Sequence, residues 1–233
     1  MSETQRIAAE SGLRIAYEDE HLLVIDKPAG MVVHPARGHR EGTLSQLLAG
    51  LAVGGEPERA GIVHRLDRNT SGLLVVARSE HAHAGLQAAM ARREIKREYI
   101  ALVEGRPPSR TGTVQAPIGR HRKVRTKMAI GGNLARDAIT HFTLERELPR
   151  YSLLRISLET GRTHQIRVHM QAIGHPVCGD PEYGTAGLLG LSRQFLHATR
   201  LVFEHPITGG TVDVCSPLPD DLQSALERAE QVS

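Results

Sequence analysis

Aromatic residues are scarce in this sequence, which contains no Trp, four Tyr and three Phe. Aliphatic side chains must therefore form most of the interior. The two cysteines, Cys178 and Cys215, have neither metal-binding nor redox spacing, and nothing indicates an oxidising compartment. The N-terminus has no apolar signal region, and no apolar run reaches the roughly 18 residues of a membrane helix. These absences predict a cytoplasmic protein without membrane attachment.

Several catalytic motifs are also missing. There is no Gly-x-Ser-x-Gly elbow, Walker loop or His-Glu-x-x-His pair, which argues against serine-hydrolase, phosphoryl-transfer and zinc-protease chemistry. His64-Arg65-Leu66-Asp67 differs from the kinase order His-Arg-Asp-Leu, and no Gly-rich phosphate loop accompanies it. Among the 13 histidines, the pairs His81/His83 and His164/His169 have no carboxylate cluster beside them. We therefore predict no metal site.

Charge is unevenly distributed along the 233 residues, although the net charge is only +3. From Arg92 to Lys127 there are eleven Lys and Arg against three Glu, whereas from Phe203 to Ser233 there is one Arg against six Asp and Glu. This polarity indicates a basic face that binds a polyanion. The alternative is a basic loop that is merely solvated.

The stretch from Gly61 to Val76 places a single carboxylate, Asp67, beside His64, Arg65 and Arg68. The apolar run from Leu73 to Ala77 predicts a buried strand, so Asp67 is expected on a turn that a core strand holds in place. Rigidly supported loops commonly carry catalytic residues. A surface ion pair or a cap is the simpler explanation of such an Asp.

The periodicity predicts an α+β fold with a large mixed or mainly antiparallel sheet and flanking helices. Residues 1–12 are polar and are expected to be a flexible N-terminus, followed by one domain over 13–233. Capping and spacing patterns predict helices that begin near Thr43, Ser79, Gly161 and Asp220. The predicted strands are Leu13–Tyr17, His21–Asp26, Leu73–Ala77, Ile95–Val103, Ala138–Leu144, Leu153–Leu158, Leu201–Phe203 and Thr211–Cys215. Met31–Pro35 is expected to be a short extended piece that ends at the Pro.

Taken together, the motifs resemble those of the RluA-type pseudouridine synthases along most of the chain. His64-Arg65-Leu66-Asp67 followed by Thr70-Ser71-Gly72-Leu73 is a highly specific signature of that family, and the motif over 160–170, Thr-Gly-Arg-Thr-His-Gln-Ile-Arg-Val-His-Met, is nearly as specific. The other matching stretches are Lys27–Pro35, Arg97–Tyr99, Gly174–Gly184 and Leu196–Ala198.

The resemblance implies an isomerase that converts uridine in RNA to pseudouridine without a cofactor, on a pseudouridine synthase fold with a central RNA-binding cleft. It gives Asp67 the role of catalytic carboxylate, which either attacks the sugar C1′ or assists glycosidic cleavage. Tyr99 corresponds to the family's active-site Tyr, which packs against the target base. Arg167 corresponds to the basic residue that pairs with the catalytic Asp. A fixed guanidinium would keep such a carboxylate ionised in a water-poor pocket.

Further residues are expected to bind RNA. Arg65 would lie at the mouth of the pocket, and phosphate contacts are expected from Arg162, His164, Arg120, Arg122 and Lys123. Many family members carry a separate RNA-binding module before the catalytic domain, and here the first strands leave no room for it. The exact residues of the motifs resemble most closely those of family members that act on large-subunit ribosomal RNA, which favours this substrate over tRNA. A monomer is expected, and an RNA-binding protein without catalysis remains the alternative from a different class.

Overall fold

The computed structural model describes residues 3–35, 41–124 and 126–232. It divides into two compact units. Unit 1 comprises Met1–Arg97 and Ala198–Ser216, and unit 2 comprises Glu98–His197 and Pro217–Ser233. The single domain expected over 13–233 stays a prediction, and each unit is described separately below. Within the described residues, no helix combines the length and apolar character needed to cross a membrane.

Helices and strands follow one another along the chain in an irregular order. The helices are α1 (Glu3–Ser11), α2 (Leu44–Leu47), α3 (Glu80–Ala91), α4 (Gln165–Ala172) and α5 (Asp220–Gln231). The strands are β1 (Arg14–Glu18), β2 (Leu22–Lys27), β3 (Ser71–Ala77), β4 (Lys96–Glu104), β5 (Thr111–Gln115), β6 (Ile118–Arg120), β7 (Met128–Ile130), β8 (Asn133–Arg136), β9 (Ile139–Glu147), β10 (Tyr151–Leu158), β11 (Leu196–Glu204) and β12 (Thr211–Cys215).

Unit 1 is built on strands in the order β1-β2-β3-β11, with β12 paired to β11. The pairs β1–β2, β2–β3 and β11–β12 are antiparallel. All seven residues of β3 are buried, which accounts for its continuous apolar sequence. Aliphatic side chains from these strands and from α3 form the core, where Leu22, Val24, Val75, Leu86 and Leu201 are almost fully buried.

Unit 2 contains the strand order β4-β10-β9-β5 and a separate small sheet in the order β7-β6-β8. Every pairing within these two groups is antiparallel. The small sheet is anchored through a second apolar cluster, formed by Ile118, Ala138, Val168 and Tyr183 with Met128 packed against it. An α+β fold with mainly antiparallel strands is therefore confirmed.

The predicted helix starts agree well with the structure. Thr43 begins a capping box with Gln46, and the hydroxyl oxygen of Ser79 accepts a hydrogen bond from the Ala82 N–H at 3.2 Å. Glu3–Ser11 forms α1, and the expected flexibility of residues 1–12 stays a prediction. The short extended piece expected over 31–35 is not part of a strand. The sequence patterns also gave no indication of β5 or of the small sheet.

A glycine in the signature motif is required by close packing within unit 1. Gly72 has a φ of 111°, and a Cβ there would lie 2.2 Å from the backbone oxygen of Ala198. We expect Gly72→Ala to lower the free energy of unfolding by about 3 kcal/mol or more, through overpacking and a strained backbone. Urea unfolding followed by circular dichroism would measure the loss.

Gly210→Ala is the matched control for this substitution. Gly210 has no positive φ, and its added Cβ would make only an ordinary contact, 3.6 Å from the Thr208 hydroxyl. Its stability should stay close to that of the parent protein. Equal stability of the two variants would show that the packing at Gly72 is not restrictive.

Candidate functional site

The loop that carries Asp67 is attached to unit 1 through a buried lysine. Lys27 is fully buried, and its Nζ donates to the carbonyl oxygens of Pro28, Met31 and Arg68 at 2.8, 3.0 and 3.0 Å. The Gly30 N–H also donates to the Arg68 carbonyl, at 2.9 Å. Because a buried ammonium is costly unless its donors are satisfied, this arrangement fixes the backbone directly after Asp67.

Asp67 itself is partly exposed. Its carbonyl oxygen accepts a hydrogen bond from the Thr70 N–H at 3.1 Å, which closes the turn that leads into β3. The predicted placement of Asp67 on a turn before a buried strand is therefore confirmed. The turn leaves a carboxylate at the surface of a rigid element, which suits a residue that must meet a substrate.

His64 is a structural residue rather than a proton carrier. It is buried, and its Nε2 accepts a hydrogen bond from the Val75 N–H at 3.1 Å. Burial lowers the pKa of His64 to about 3, with a further contribution from the charge of Arg97. The imidazole is thus neutral at physiological pH and fastens the Asp67 loop to β3.

Arg65 is exposed, and its Nη1 donates to His34 Nε2 at 3.1 Å. Burial and the Arg65 charge lower the pKa of His34 to about 4, so this imidazole is a neutral acceptor. The contact leaves the charge of Arg65 at the protein surface.

In unit 2, polar contacts fasten helix α4 to strand β9. The Gln165 side-chain carbonyl accepts from the Thr160 hydroxyl at 2.8 Å, and its amide donates to the Ile139 carbonyl at 3.0 Å. His169 Nε2 donates to the Ala116 carbonyl at 3.0 Å, and its Nδ1 accepts from the Thr140 hydroxyl at 2.8 Å. Burial lowers the pKa of His169, so it stays neutral and holds the helix in place.

Arg167 lies about 200° around the helix from Gln165 and is bound by carboxylates. Its Nε and Nη2 donate to the two oxygens of Asp180 at 2.6 and 2.9 Å, and Nη2 also donates to Glu182 at 2.8 Å. Asp180 is fully buried. Burial would raise the pKa of Asp180, but the hydrogen bond and charge of Arg167 and two backbone N–H donors outweigh it and lower that pKa.

Tyr183 lies beneath the Arg167 guanidinium, whose carbon is 4.9 Å from the ring centroid. The Tyr183 hydroxyl accepts from the Met128 N–H and is hydrogen-bonded to His164 Nδ1, each at 2.8 Å. Burial is the main cause that raises the pKa of Tyr183 to about 12, and nearby carboxylates contribute further. Tyr183 therefore links the helix that carries Arg167 to the small sheet.

Tyr99 is on β4, where it is paired with Ile156 of β10. Its side chain is 5% exposed, so it belongs to a well-fixed strand and not to a mobile loop.

The basic stretch over 120–127 lies in a hairpin. Strands β6 and β7 pair antiparallel, and the His121 N–H donates to the Lys127 carbonyl across the connection at 2.9 Å. Arg120, Arg122 and Lys123 are exposed, while Arg125 lies outside the described residues. Arg162 is partly exposed and donates from Nε to the Asp137 carbonyl at 3.0 Å, just beyond β8.

Many arginines outside this hairpin are already paired with carboxylates. Arg92 pairs with Glu94, Arg106 with Glu147, Arg146 with Glu230, and Arg200 with Asp213. Part of the excess charge counted over 92–127 is thus neutralised locally. Arg122 and Lys123 have no carboxylate partner among the described residues, so the hairpin retains unneutralised charge.

The structure therefore divides the predicted site residues between the units. Arg65 and Asp67 are in unit 1, whereas Tyr99, Arg162, His164, Arg167 and the hairpin cations are in unit 2. The pairing of Arg167 with Asp67 stays a prediction. In the described part of the chain, no cluster of three or more His, Cys, Asp or Glu side chains could hold a metal ion.

Sequence reasoning assigned no role to Lys27, Asp180, Glu182 or Tyr183, although all four lie in stretches that matched the family motifs. Lys27 occupies the end of an apolar strand, and its full burial was the missed feature. Asp180 and Glu182 are 13 and 15 residues after Arg167, a separation that no local pattern connects.

Two solved structures resemble this chain in fold. Human RNA Pseudouridylate Synthase Domain Containing 4 superposes with a TM-score of 0.75 and 25% identity, covering 98% of each chain. Human RNA Pseudouridylate Synthase Domain Containing 1 superposes with a TM-score of 0.70 and 30% identity, covering 89% of this chain and 84% of its own.

Curated bacterial relatives are closer in sequence. A protein of Zymomonas mobilis named ribosomal large subunit pseudouridine synthase D is 49% identical over 91% of this chain and 71% of its own length. The protein of the same name in Xanthomonas campestris is 44% identical over 99% of this chain and 74% of its own length.

The family model described as RNA pseudouridylate synthase matches residues 21–172. This range includes both signature motifs, with Asp67, the Lys27 and His64 that fix its loop, and Arg167. Since the model spans more than half of the sequence and the relatives align with most of it, the chain belongs to the RNA pseudouridylate synthase family.

Proposed function

We propose that this protein converts uridine to pseudouridine in large-subunit ribosomal RNA, with Asp67 as the catalytic carboxylate. The supporting observation is the rigid loop in which Lys27 and His64 hold Asp67 on a turn before β3. The names of the bacterial relatives support ribosomal RNA as the substrate. A cytoplasmic monomer is part of the proposal and rests on the sequence alone.

The reaction moves the base without changing its composition. The bond from N1 to C1′ breaks, a bond from C5 to C1′ forms, the C5 proton leaves and N1 gains a proton. An ionised Asp67 carboxylate close to C1′ can attack the sugar or assist cleavage of the glycosidic bond. Either route needs an anion that is held in position while the detached uracil rotates to present C5 to the sugar.

Tyr99 and Arg167 are assigned supporting roles around this carboxylate. The Tyr99 ring would pack against the uracil that has left the RNA stack, since base–aromatic stacking returns roughly 1–3 kcal/mol per base. Arg167 would keep Asp67 ionised through its positive charge. Asp180 and Glu182 are positioning residues, because they fix the guanidinium through charge-assisted hydrogen bonds.

The exposed cations would bind the RNA backbone. Phosphate contacts position a nucleic acid without reading its sequence, and Arg120, Arg122 and Lys123 are exposed on the hairpin. Arg162 and His164 lie at the start of α4, and Arg65 is exposed beside the Asp67 turn. We propose that Arg65 helps to hold the RNA at the position from which the target uridine flips out of the stack.

The substrate is tested by mapping pseudouridines in cellular RNA with and without this protein. A site in large-subunit ribosomal RNA that disappears in its absence would support the proposal. A missing site in tRNA would place the same chemistry on the alternative substrate. An unchanged map, with purified protein that still binds RNA, would favour a binding protein without catalysis.

Asp67→Asn is expected to abolish pseudouridine formation and to leave RNA binding largely intact, because the amide retains the shape of the carboxylate but not its charge. The measurement is tritium release from ribosomal RNA whose uridines carry tritium at C5. The parent protein should release tritium in EDTA. Activity in the Asn variant would contradict the role of Asp67, and loss of parent activity in EDTA would indicate a metal-dependent enzyme.

Replacing Arg122 and Lys123 together by Ala should weaken RNA binding and flatten its dependence on salt. Each lost phosphate contact removes counterion release, so the slope of log K against log salt should change by about 1 to 2 units. Filter binding at several salt concentrations would measure this slope.

A control for the hairpin variant removes two arginines that are already ion-paired, Arg106 and Arg146. This double Ala variant loses the same formal charge, but its RNA affinity should change much less. Equal effects of the two double variants would show that net charge alone, and not the hairpin, governs binding.

Asp180→Asn should destabilise the protein by about 3 kcal/mol at neutral pH. The variant leaves the buried Arg167 charge with only one carboxylate partner, the partly exposed Glu182. The pKa of Asp180 is lower in the folded protein than in the unfolded chain. The ionised carboxylate therefore adds its full contribution to the free energy of unfolding above the unfolded-state pKa, and this contribution is lost as the pH falls through the folded-state pKa. The stability difference between parent and variant should therefore narrow below about pH 4.

Asp213→Asn is the surface counterpart of that variant. Arg200 binds Asp213 with the same two-bond geometry, at 2.9 and 2.6 Å, but the pair is exposed. Its removal should have little effect on stability at any pH. Chemical denaturation over a pH series would compare the two, and similar losses would contradict the importance of burial at Asp180.

A further inference from the structure

Strand β8 presents an unusual leucine to solvent. All four residues of β8 are exposed, and Leu134 is 92% exposed. An isolated exposed apolar side chain is common on protein surfaces. Leu134 is distinguished by its backbone and by the charge around it.

The backbone at Leu134 is in a strained conformation within a bulge. Strand β8 pairs Arg136 with Ile118 and Asn133 with Arg120, and the register shifts by one residue between these pairs. Leu134 lies inside the shift and has a φ of 53°. A left-handed residue in a bulge is usually glycine, since any Cβ there is disfavoured. Bulges redirect side chains, and strain of this kind often marks a functional position.

The chain reaches this bulge by crossing over β6. A Cβ on Gly119 would lie 2.5 Å from the Asn133 carbonyl and 2.6 Å from the Gly132 carbonyl, so the two backbones are in close contact. Strands β6 and β7 are tied to the rest of unit 2 by the cluster around Tyr183. Leu134 is therefore held on a well-supported backbone and not at the tip of a loose loop.

The sequence around Leu134 is predominantly basic, although the exposed Asp137 directly follows β8. Between Ala116 and Arg136 there are six Lys and Arg and no Asp or Glu. Arg120, Arg122, Lys123 and Arg136 are exposed. A surface with this charge attracts a polyanion such as RNA. It does not attract a protein surface that lacks acidic residues.

We propose that Leu134 is a wedge that inserts against an unstacked base of the RNA while the surrounding cations bind its phosphates. Apolar side chains placed among cations perform this role in proteins that kink nucleic acids. The inference rests on the proposed function for the identity of the RNA. It assigns Leu134 to substrate recognition, and it accounts for a leucine where the backbone favours glycine.

The test compares Leu134→Gly with Leu134→Met and with Ile207→Ala. Glycine removes the side chain and relieves the left-handed strain, so it should fold at least as well as the parent protein. Ile207 is also an exposed aliphatic residue, 43% exposed, but it lies in unit 1 outside the basic stretch. Binding to in vitro transcribed large-subunit ribosomal RNA is measured by filter binding, and base accessibility by chemical probing of the complex.

Leu134→Gly lacks the apolar surface that the RNA would bury on binding, so its Kd for RNA should be about tenfold higher than that of the parent. Leu134→Met and Ile207→Ala should bind RNA like the parent protein. The parent should also expose at least one base to chemical modification, and Leu134→Gly should lose that signal. An unchanged Kd and an unchanged probing pattern in Leu134→Gly would overturn the wedge. Self-association of the parent that Leu134→Gly abolishes, with RNA binding unchanged, would assign the leucine to a contact between copies instead.

Tritium release from the same RNA separates this inference from the proposed function. Binding that depends on Leu134, with no tritium release from the parent, would leave the wedge in place and refute the enzymatic activity. Tritium release by the parent, with Leu134→Gly binding equally well, would support the activity and refute the wedge.

Discussion

The position of the proposed catalytic carboxylate depends on a buried ammonium group. Lys27 ends strand β2 in the core, where an unsolvated charge would be prohibitively unfavourable. The carbonyls of Pro28, Met31 and Arg68 replace its hydration shell. The cation can be buried only while these carbonyls surround it, so any movement of the Asp67 loop would expose or desolvate Lys27. The buried charge of Lys27 therefore restrains the turn that carries Asp67.

Neutral histidines provide comparable constraints in both units. His64 and His169 are buried, their pKa values are lowered, and each makes hydrogen bonds that depend on one tautomer. With so few aromatic side chains, the aliphatic core supplies volume but little directional preference. The directional hydrogen bonds of buried polar groups supply that preference. The residues proposed for catalysis are thus held by polar contacts rather than by shape alone.

The sequence indicated the elements whose signals are local. Helix α3 begins at a Ser cap, α4 follows from apolar residues four apart, and β3 follows from an unbroken apolar run. Helix α1 was missed because its nine residues include only one large apolar side chain, Ile7. The small sheet was missed because its strands have only three or four residues and depend on tertiary contacts with Tyr183.

The same distinction applies to the candidate site. The placement of Asp67 on a turn followed from the strand after it, whereas the buried lysine that holds it is 40 residues earlier in the chain. The carboxylates that hold Arg167 depend on the segment after α4 returning to the helix. A family motif can mark such residues, but only the folded chain shows what they contact.

Arginine is used in two ways in this protein, and the contrast clarifies how it could bind RNA. Arg167 is buried with two carboxylates, which fix its position and offset its charge beyond close contact. An arginine in that setting orients a neighbouring group but contributes little to long-range attraction. Arg122 and Lys123 are exposed without a carboxylate partner in the described part of the chain, so phosphate binding breaks no existing ion pair. The hairpin can therefore attract the RNA, while the buried pair preserves the geometry in which a uridine would react.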